Sequence, residues 1–542
     1  MDWRVTPTRQ CHDRTANMSN TRESRVRVNA TMTIAMPDQE QCHRAVRSRD
    51  PRFDGWFYPA VTSTRIYCRP SCPAITPRTP KPENLRFYPT AAAAQVAGYR
   101  ACRRCLPDAV PGSPEWDGRA DVAARAMRLI DDGLIDREGV EGLAARLGYT
   151  SRHLVRILRA ELGASPSDLA QARRAHTARL LLETTDVPVT EIAFAAGFGS
   201  LRRFNESIRA VFVATPSEVR RRANHGRLRT ADARYVPGVI QTLTITLRLP
   251  FRKPYDAATI WTHLAAHLVP GLEEMGGPVY RRTLRLHHGT GIAELEPCDG
   301  YVRADLRLED LRDLGAAAAR LRRLTHVDAD PAGVAEALGG DPVLGGLVRC
   351  RPGLRVSGSA DPFETAVRSV VGQQVSDQEA RTITGRLIRC RGEAIADPAG
   401  SLRYTFPGPE RLTDARGLAL PARQIMAVTG LARAVDEGKL RLDPGADRRE
   451  VVSQLLELPG VGPWAAEYIA LRGLGDPDAF PAADKGIRQA LTALGAGNRP
   501  DIIDRWRPLR SYAAQHLWTA LAAKDLPGCG NNPAAVVRSA DA

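Results

Sequence analysis

Lysine is scarce in this chain. Only five of its 542 residues are lysine, at positions 81, 253, 439, 485 and 524. The formal net charge is nevertheless +15, because arginine supplies almost all of the positive charge. A strongly basic chain favours a polyanionic partner such as nucleic acid, although an arginine-rich composition also follows from GC-rich codons. Charge alone leaves both explanations open, and the motifs have to decide between them.

Long apolar stretches are also missing. No run reaches the roughly 18–20 apolar residues that a membrane helix needs, and the N-terminus lacks the continuous apolar segment of a secretory signal. The ten cysteines are irregularly spread, which favours a reducing compartment over a disulfide framework. No Walker loop, HExxH motif or dinucleotide fingerprint occurs. We therefore expect a cytoplasmic protein with no membrane partner.

The residue pattern changes several times along the chain and predicts a multidomain α+β protein. Polar, aperiodic stretches indicate tails and linkers, alternation as in "QTLTITLRL" indicates strands, and the remaining periodic stretches indicate helices. The expected divisions are a disordered tail at 1–36, folded domains at 37–110 and 119–222, a basic linker at 223–240, folded domains at 241–325 and 326–528, and a tail at 529–542.

Four cysteines form two close pairs. Cys68 and Cys72 in "RIYCRPSC" are separated by 29 residues from Cys102 and Cys105 in "YRACRRC". A CxxxC pair followed by CxxC has the spacing of a tetrahedral zinc site with four thiolate ligands. Unrelated buried thiols would not explain two close pairs, so the sequence predicts one bound Zn²⁺. Zinc holds its ligands as thiolates, and each ligand therefore remains a potential nucleophile.

The segment "FDGWFYPAVTSTRIYCRPSCPA…LRFYPTAAAAQVAGYRACRRCLPD" resembles the N-terminal zinc domain of the Ada family. The resemblance implies that Cys68 accepts a methyl group from a methylphosphotriester in DNA, irreversibly and once per molecule. It also implies that Thr64, Arg100 and Arg104 contact DNA, whereas Ile75 stands where the family has an arginine.

The stretch "QCHRAV" around Cys42 resembles the nucleophile motif of O6-alkylguanine methyltransferases. It lacks the proline of that motif and falls at the helical start of the zinc domain. We therefore expect Cys42 to be non-catalytic.

Two stretches share the plan of a helix, a glycine turn and a second helix. "GVEGLAARLGYTSRHLVRILRAELGASP" turns at Gly148, and "PVTEIAFAAGFGSLRRFNESIRAVFVATP" turns at Gly197 and Gly199. In a helix–turn–helix unit the second helix enters the major groove of DNA, whereas a plain helical bundle with solvated arginines is the alternative. The residues expected to face DNA are Arg152, His153 and Arg156 in the first unit and Leu201, Arg202, Arg203 and Asn205 in the second.

The second unit resembles the AraC family signature, including Phe204 and the closing Pro216, and one long helix, "PSDLAQARRAHTARLLLETT", joins the two units. The resemblance implies an all-α DNA-binding domain that activates transcription, with promoter DNA and RNA polymerase as partners. Phe204 and Phe212 are expected in its core.

The stretch "LPGVG", from Leu458 to Gly462, predicts a hairpin between two helices. Such a hairpin presents backbone N–H groups to a DNA phosphate and can hold a monovalent cation, and its glycines let the backbone come close. Leu458, Gly460 and Gly462 are the expected contacts, and a chance glycine-rich turn is the alternative.

Asp484 lies 22 residues past Gly462, after "DAFPAAD". This arrangement resembles the helix–hairpin–helix DNA glycosylases, and "PFETAVRSVVGQQVS" and "RWRPLRSYAAQHLW" extend the resemblance to the AlkA family of alkylbase glycosylases. It implies that Asp484 is the catalytic carboxylate, which stabilises the cationic sugar as the N-glycosidic bond breaks. The alternative role for an aspartate in front of a helix is an N-cap.

Three aromatic residues match the base pocket of that family, namely Trp464, Tyr468 and Trp518. Aromatic rings attract a cationic purine such as 3-methyladenine, once the base has left the duplex. Gln373 and Gln374 match the loop that fills the resulting gap, although the family has an apolar leucine at the second position.

Lyase activity is not expected. Bifunctional glycosylases have a lysine nucleophile two residues after the last hairpin glycine, and Trp464 occupies that position here. Lys485 follows Asp484 but faces another side of its helix. The sequence therefore predicts a monofunctional glycosylase that leaves an abasic site uncut.

The combined prediction has four folded parts. They are a small zinc-binding α/β domain, an all-α AraC-type double helix–turn–helix, a small antiparallel α/β domain and an all-α helix–hairpin–helix glycosylase domain. The resemblances imply a monomeric, nucleoid-associated DNA alkylation repair enzyme and adaptive-response regulator that binds double-stranded DNA. The alternative is a methyl-sensing transcription factor whose glycosylase domain is weak or degenerate.

Overall fold

The computed structural model describes residues 36–72, 80–102, 105, 107, 121–224, 244–373, 375–416, 420–497 and 499–523. The expected tails and linker fall almost wholly outside this range, as do Ile75, Arg104 and Gln374.

The described residues form helical regions and two separate sheets. The strands are β1 (Tyr58–Val61), β2 (Ile66–Tyr67), β3 (Leu85–Tyr88), β4 (Arg100–Ala101), β5 (Thr244–Pro250), β6 (Glu273–Gly276), β7 (Val279–Arg285), β8 (Thr290–Cys298) and β9 (Tyr301–Leu308). The helices are α1 (Gln39–Ser48), α2 (Ala91–Val96), α3 (Asp121–Asp131), α4 (Leu134–Leu147), α5 (Ser151–Leu162), α6 (Pro166–Thr184), α7 (Val189–Ala195), α8 (Leu201–Phe212), α9 (Pro216–Asn224), α10 (Ala257–Ala266), α11 (Leu314–Thr325), α12 (Pro331–Leu338), α13 (Gly345–Cys350), α14 (Pro362–Gly372), α15 (Asp377–Arg391), α16 (Ala422–Asp436), α17 (Arg448–Glu457), α18 (Pro463–Tyr468), α19 (Lys485–Ala493), α20 (Pro500–Asp504) and α21 (Arg510–Ala523). The predicted multidomain α+β class is confirmed.

The N-terminal sheet has the strand order β3-β1-β2-β4. Strand β1 runs antiparallel to β2 and β3, whereas β2 and β4 run parallel and pair Tyr67 with Ala101. Cys68 and Cys102 directly follow these two paired residues. The parallel register therefore brings two cysteines that are far apart in sequence to the same end of the sheet.

Helices α3 to α9 contain the two helix–turn–helix units. Thr150 and Ser200 cap the second helix of each unit, because their hydroxyls accept hydrogen bonds from the backbone N–H groups of His153 and Arg203. The long helix α6 begins with a capping box between Ser165 and Asp168. These caps define the first residue of each second helix, Ser151 in α5 and Leu201 in α8.

The second sheet is fully antiparallel, with the order β5-β9-β8-β7-β6. Ile245, Leu247 and Leu249 of β5 are buried and alternate with exposed residues, as the sequence alternation predicts. The hydrophobic core of this sheet is continuous with that of α6 and the second helix–turn–helix unit, which contribute Leu181 and Phe204 respectively.

Helices α12 to α21 form the C-terminal region. Helices α17 and α18 flank the predicted hairpin, a π-helical segment (Ile469–Gly473) continues α18, and Asp484 caps α19. This order brings the hairpin, the aromatic residues of α18 and the carboxylate of Asp484 together.

Direct contacts join these regions. Arg125 of α3 donates from Nε to the carbonyl of Gly445 over 2.6 Å, and Arg252 donates from Nη2 to the carbonyl of Asp54 over 2.7 Å. Within the part of the chain that the structure describes, no helix is both long and apolar enough to cross a membrane.

Candidate functional sites

The four paired cysteines meet in one cluster. The Sγ atoms of Cys68, Cys72, Cys102 and Cys105 all lie within 4.8 Å of one another, and all four residues are buried. Four sulfurs around a tetrahedral zinc ion, each about 2.3 Å from the metal, would be about 3.8 Å apart. The Cys72 and Cys102 sulfurs are 3.9 Å apart. The residues present therefore fit zinc, as predicted.

Asp54 fixes the loop between the first two cysteines. Its carboxylate accepts hydrogen bonds from Ser71 N over 2.9 Å and from Ser71 Oγ over 2.5 Å, and Arg69 Nε lies 3.5 Å away. Burial raises the pKa of Asp54, and the bonds from Ser71 oppose that rise. Asp54 could not be predicted from its local sequence, "FDGW", because its partner Ser71 is 17 residues away.

Two of the predicted phosphate contacts, Thr64 and Arg100, lie at the β2–β4 strand pair that leads to the cysteines. Arg100 begins β4 and pairs with Ile66, and Thr64 is exposed in the turn just before β2. Both residues are thus at the starting end of the β2–β4 pair, whereas Cys68 and Cys102 follow its other end. Each of these two strands has only two residues, so little chain separates Thr64 from Cys68 and Arg100 from Cys102.

The predicted recognition residues lie on the outer faces of α5 and α8. All of them are exposed except Asn205, which is half-buried and donates from Nδ2 to the carbonyl of Leu201 over 2.8 Å. Arg202 Nε donates to Glu206 over 2.9 Å. The exposed residues are Arg152, His153, Arg156, Leu201, Arg202 and Arg203.

The three predicted pocket aromatics form one wall of a cavity of about 730 Å³. The rings of Trp464 and Tyr468 are stacked, with centroids 5.1 Å apart and an interplanar angle of 23°. Tyr468 meets Trp518 edge-on, with centroids 6.1 Å apart. The cavity also includes Asp484. The structure thus brings together four residues that the sequence places across 55 positions, 464 to 518.

Three N–H groups hold the carboxylate of Asp484. Trp464 Nε1 donates to Oδ2, Trp518 Nε1 donates to Oδ1, and the backbone N–H of Ile487 also donates to Oδ1, each over 2.9 Å. Asp484 is therefore the N-cap of α19 and at the same time a member of the cavity wall.

Gln373 ties the hairpin to helix α14. Its Oε1 accepts from the backbone N–H of Gly462 and its Nε2 donates to the carbonyl of Gly460, both over 3.0 Å. Gly460 has φ of 85°, and a Cβ there would lie 2.8 Å from Ala427 Cβ. The tight hairpin therefore requires glycine at 460. Leu458 is half-buried at its start.

Several residues lie apart from these sites. Cys42 donates from Sγ to the carbonyl of Pro37 over 3.1 Å, and burial raises the pKa of its thiol to about 12. Phe204 is fully buried in a hydrophobic core, as expected, and Trp506 is fully buried in another. Lys485 is exposed.

Regulatory and repair features thus occur on one chain. Its N-terminal part presents a zinc centre and paired DNA-reading helices, and its C-terminal part presents a carboxylate in an aromatic cleft beside a hairpin. The combination defines a DNA-binding regulator fused to a DNA repair enzyme. Three family models match separate segments. They are the metal binding domain of Ada at 41–108, a helix-turn-helix domain at 143–222 and the AlkA N-terminal domain at 246–361.

Known relatives match both parts. The chain is 51% identical over 490 residues to the probable bifunctional transcriptional activator/DNA repair enzyme AlkA of Mycobacterium tuberculosis, covering 89% of this chain and 97% of that protein. It is 32% identical over 279 residues to DNA-3-methyladenine glycosylase 2 of Escherichia coli, covering 50% of this chain and 95% of that protein. It is 36% identical over 159 residues to the bifunctional transcriptional activator/DNA repair enzyme Ada of Escherichia coli, covering 29% and 42%. The chain belongs to the family of bifunctional transcriptional activator/DNA repair enzymes that combine Ada and AlkA parts.

Proposed function

We propose that the C-terminal half hydrolyses the N-glycosidic bond of alkylated bases such as 3-methyladenine, with Asp484 as its catalytic carboxylate. One observation carries this proposal: the carboxylate of Asp484 is held by the indole N–H groups of Trp464 and Trp518 at the wall of an aromatic cavity. An aromatic wall attracts a cationic purine, and a fixed carboxylate stabilises positive charge on the sugar.

The reaction follows from this geometry. A base turned out of the duplex stacks in the cavity, and its bond to the sugar C1′ breaks with the electron pair leaving on the base. The positive charge that develops on the sugar is stabilised by the ionised carboxylate of Asp484. Water then adds to C1′ and loses a proton, which leaves an abasic site. Leu458, Gly460 and Gly462 hold the DNA backbone at the hairpin, where their backbone could also hold a monovalent cation. The loop that contains Gln373 and Gln374 faces the gap, with the side chain of Gln373 bound to the hairpin.

The Asp484→Asn variant tests the role of the carboxylate. Asparagine is as good an N-cap as aspartate, so α19 keeps its cap while the negative charge is lost. We expect wild-type protein to release 3-methyladenine from alkylated DNA and the variant to lose release by at least about 100-fold, as for loss of a main electrostatic contact. Asp501→Asn, at an exposed surface position, should behave as wild type. If wild-type protein releases no base, the rival proposal of a transcription factor with a degenerate glycosylase domain is favoured.

We further propose that Cys68 is the methyl acceptor. When zinc is bound, it keeps the four cysteines as thiolates at neutral pH. The Cys68 sulfur attacks the methyl carbon of a DNA methylphosphotriester, the carbon–oxygen bond breaks, and the phosphate recovers its negative charge. Thr64, Arg100 and Arg104 hold that phosphate. The product thioether cannot return the methyl group, so each chain reacts once.

Methylation would change the affinity of the protein for DNA. The thiolate becomes a neutral thioether, which removes one negative charge from a surface that faces phosphates, and repulsion falls. The exposed arginines of α5 and α8 then bind promoter DNA, and the chain, acting as a monomer, activates transcription with RNA polymerase.

Mass spectrometry of protein incubated with methylated DNA tests the acceptor. We expect one added methyl group on the peptide that contains Cys68, and the same result in the Cys42→Ser variant. Methylated DNA that leaves the Cys68 peptide unchanged would show that the zinc site is structural only.

A further inference from the structure

A buried arginine lies against the aromatic wall of the cavity. Arg472 is only 5% exposed, and its Cζ lies 5.2 Å from the ring centroid of Trp518 and 5.8 Å from that of Tyr468. It lines the same cavity as Asp484. The mechanism above assigns it no role, and no sequence motif singles it out.

Arg472 is held by neutral groups. Its Nη1 donates to the carbonyl of Ser357 over 2.9 Å, and its Nη2 donates to Oε1 of Gln515 over 2.8 Å. Its Nε has no hydrogen-bond partner among the described residues. The charge is therefore fixed in place by dipoles rather than cancelled by a neighbouring carboxylate.

Two other arginines of the cavity, the buried Arg282 and the half-buried Arg368, differ in this respect. Arg282 pairs with Glu364 over 2.6 Å, and Arg368 lies 3.1 Å from Glu273 and 2.9 Å from Glu364. Of the ion pairs that can be assigned among described residues, none includes Arg472. Burial lowers the pKa of its guanidinium, yet arginine starts so far above neutral pH that the group stays charged.

The local backbone supports a functional role. Arg472 belongs to the π-helical segment Ile469–Gly473, which the bond from Leu474 N to the carbonyl of Ile469 closes over 3.1 Å. Single π-helical turns inside helices are rare and occur frequently at functional sites. Arg472 follows Tyr468 by four residues, so both side chains face the cavity.

We propose that Arg472 is a specificity-determining residue, whose charge sets the balance between cationic alkylated purines and uncharged damaged purines. This inference rests on the proposed glycosylase function. A cationic base in the cavity meets the like charge of the guanidinium, and the rings of Tyr468 and Trp518 already interact with that cation. An uncharged base instead gains negative charge as it leaves the sugar, and the guanidinium stabilises that charge.

The two substrate types therefore respond in opposite directions when the charge is removed. Neutralising Arg472 should raise kcat/KM for a duplex containing N7-methylguanine, which is cationic, and lower it for a duplex containing hypoxanthine, which is uncharged. A residue that only supports the fold would change both values in the same direction. The ratio of the two values thus separates an electrostatic role from a structural one.

Three variants provide the test. Arg472→Met removes the charge and keeps much of the side-chain volume, Arg472→Lys keeps the charge, and Gln515→Glu places a carboxylate beside the intact guanidinium. We expect Arg472→Met and Gln515→Glu to shift the ratio by at least about tenfold towards the cationic base, equivalent to about 1.4 kcal/mol, and Arg472→Lys to shift it much less. If Arg472→Met does not fold, the ratio of kcat/KM values measured for Gln515→Glu tests the proposal, because this variant keeps the arginine.

Equal changes for both substrates in the neutralising variants would overturn the inference while leaving the glycosylase function intact. Failure of wild-type protein to release either base would instead overturn the proposed function itself. The two failures are therefore distinguishable in one set of measurements.

Discussion

Trp464 and Asp484 form one hydrogen-bonded unit, in which the indole Nε1 of the tryptophan donates to Oδ2 of the carboxylate over 2.9 Å. The same tryptophan stacks on Tyr468. The residue that would bind the base therefore also orients the carboxylate that would act on the sugar, and its ring and its N–H group can be tested separately.

Trp464→Phe keeps an aromatic ring and removes the donor. A hydrogen bond to a charged group contributes about 1.5–3 kcal/mol, so we expect base release to slow by about 10–100-fold. Single-turnover release of 3-methyladenine measures the effect. The matched control is Trp261→Phe, which removes an indole bond to the carbonyl of Pro278 outside the cavity. Equal slowing in both variants would assign the effect to general destabilisation.

Zinc content distinguishes the clustered cysteines from Cys42. Elemental analysis should find one zinc ion per wild-type chain, because four sulfurs converge at one point. Cys102→Ser should lose most of this zinc. Cys42→Ser should retain it, because Cys42 bonds to the carbonyl of Pro37 instead. Undiminished zinc in Cys102→Ser would contradict the assigned ligand set.

Asp54→Asn tests the support of the zinc loop. The asparagine loses the charge that accepts two hydrogen bonds from Ser71, next to Cys72. Mutating a residue that orients metal ligands typically lowers metal affinity by about 10–100-fold. We expect zinc affinity to fall within this range, as measured by competition with a chromophoric chelator. Asp50→Asn is the control, since Asp50 pairs only with the nearby Arg52 in the described structure. If Asp54→Asn binds zinc with the same affinity as wild type, Asp54 does not contribute to zinc binding.

Borohydride treatment during the reaction should trap no covalent complex with DNA. Trp464 occupies the position of the lyase lysine, and Lys485 is exposed and does not line the cavity. A bifunctional glycosylase treated in parallel is the positive control. Should an adduct form, its loss in Lys485→Ala would identify that lysine as the nucleophile and refute the monofunctional assignment.

His516 should make the protein sensitive to acid. Burial, with a contribution from the charge of Arg351, lowers its pKa from 6.5 to about 4. The unfolded chain therefore binds more protons than the folded chain between these values, so stability is full above about pH 6.5 and falls as the pH drops towards 4. At about pH 5 the expected loss is about 2 kcal/mol. Urea unfolding at about pH 7.5 and pH 5 should show a smaller loss in His516→Gln than in wild type.

His153→Gln is the control for this measurement. His153 is exposed on α5, and its replacement should leave the acid sensitivity as in wild type. Identical pH responses of His516→Gln and wild type would show that His516 does not account for the acid sensitivity.

Part of the chemistry of this chain is encoded in residue types and their spacing. The two cysteine pairs predicted a zinc centre because each pair is close enough in sequence to bind one side of an ion. The resemblance to the AlkA family pointed to Trp464, Tyr468 and Trp518, and the structure brings the three rings into one cavity. Asp484 was given two alternative roles, and the structure shows that it caps α19 while it lines the cavity. Its catalytic role stays a proposal.

Other features depended on long-range contacts. Gln373 was expected in the gap-filling loop, which stays a prediction, and the sequence did not indicate that its side chain binds the backbone of the hairpin, 87 and 89 residues away. Asn205 was expected to face DNA, and it is half-buried against its own helix. No local sequence pattern determines whether such a polar side chain points towards DNA or bonds to the protein's own backbone.

The sequence by itself determined the α+β class, the clustering of the four cysteines, the helix–turn–helix plan and the family, because these depend on residue type and on short-range spacing. Only the tertiary structure decided the surroundings of Arg472. Its guanidinium lies against the rings of Tyr468 and Trp518, and no carboxylate among the described residues forms an ion pair with it. That placement depends on Ser357 and Gln515, which reach it from distant parts of the chain. The charge environment of a buried group is set by every element that packs around it, and a linear sequence does not specify those neighbours.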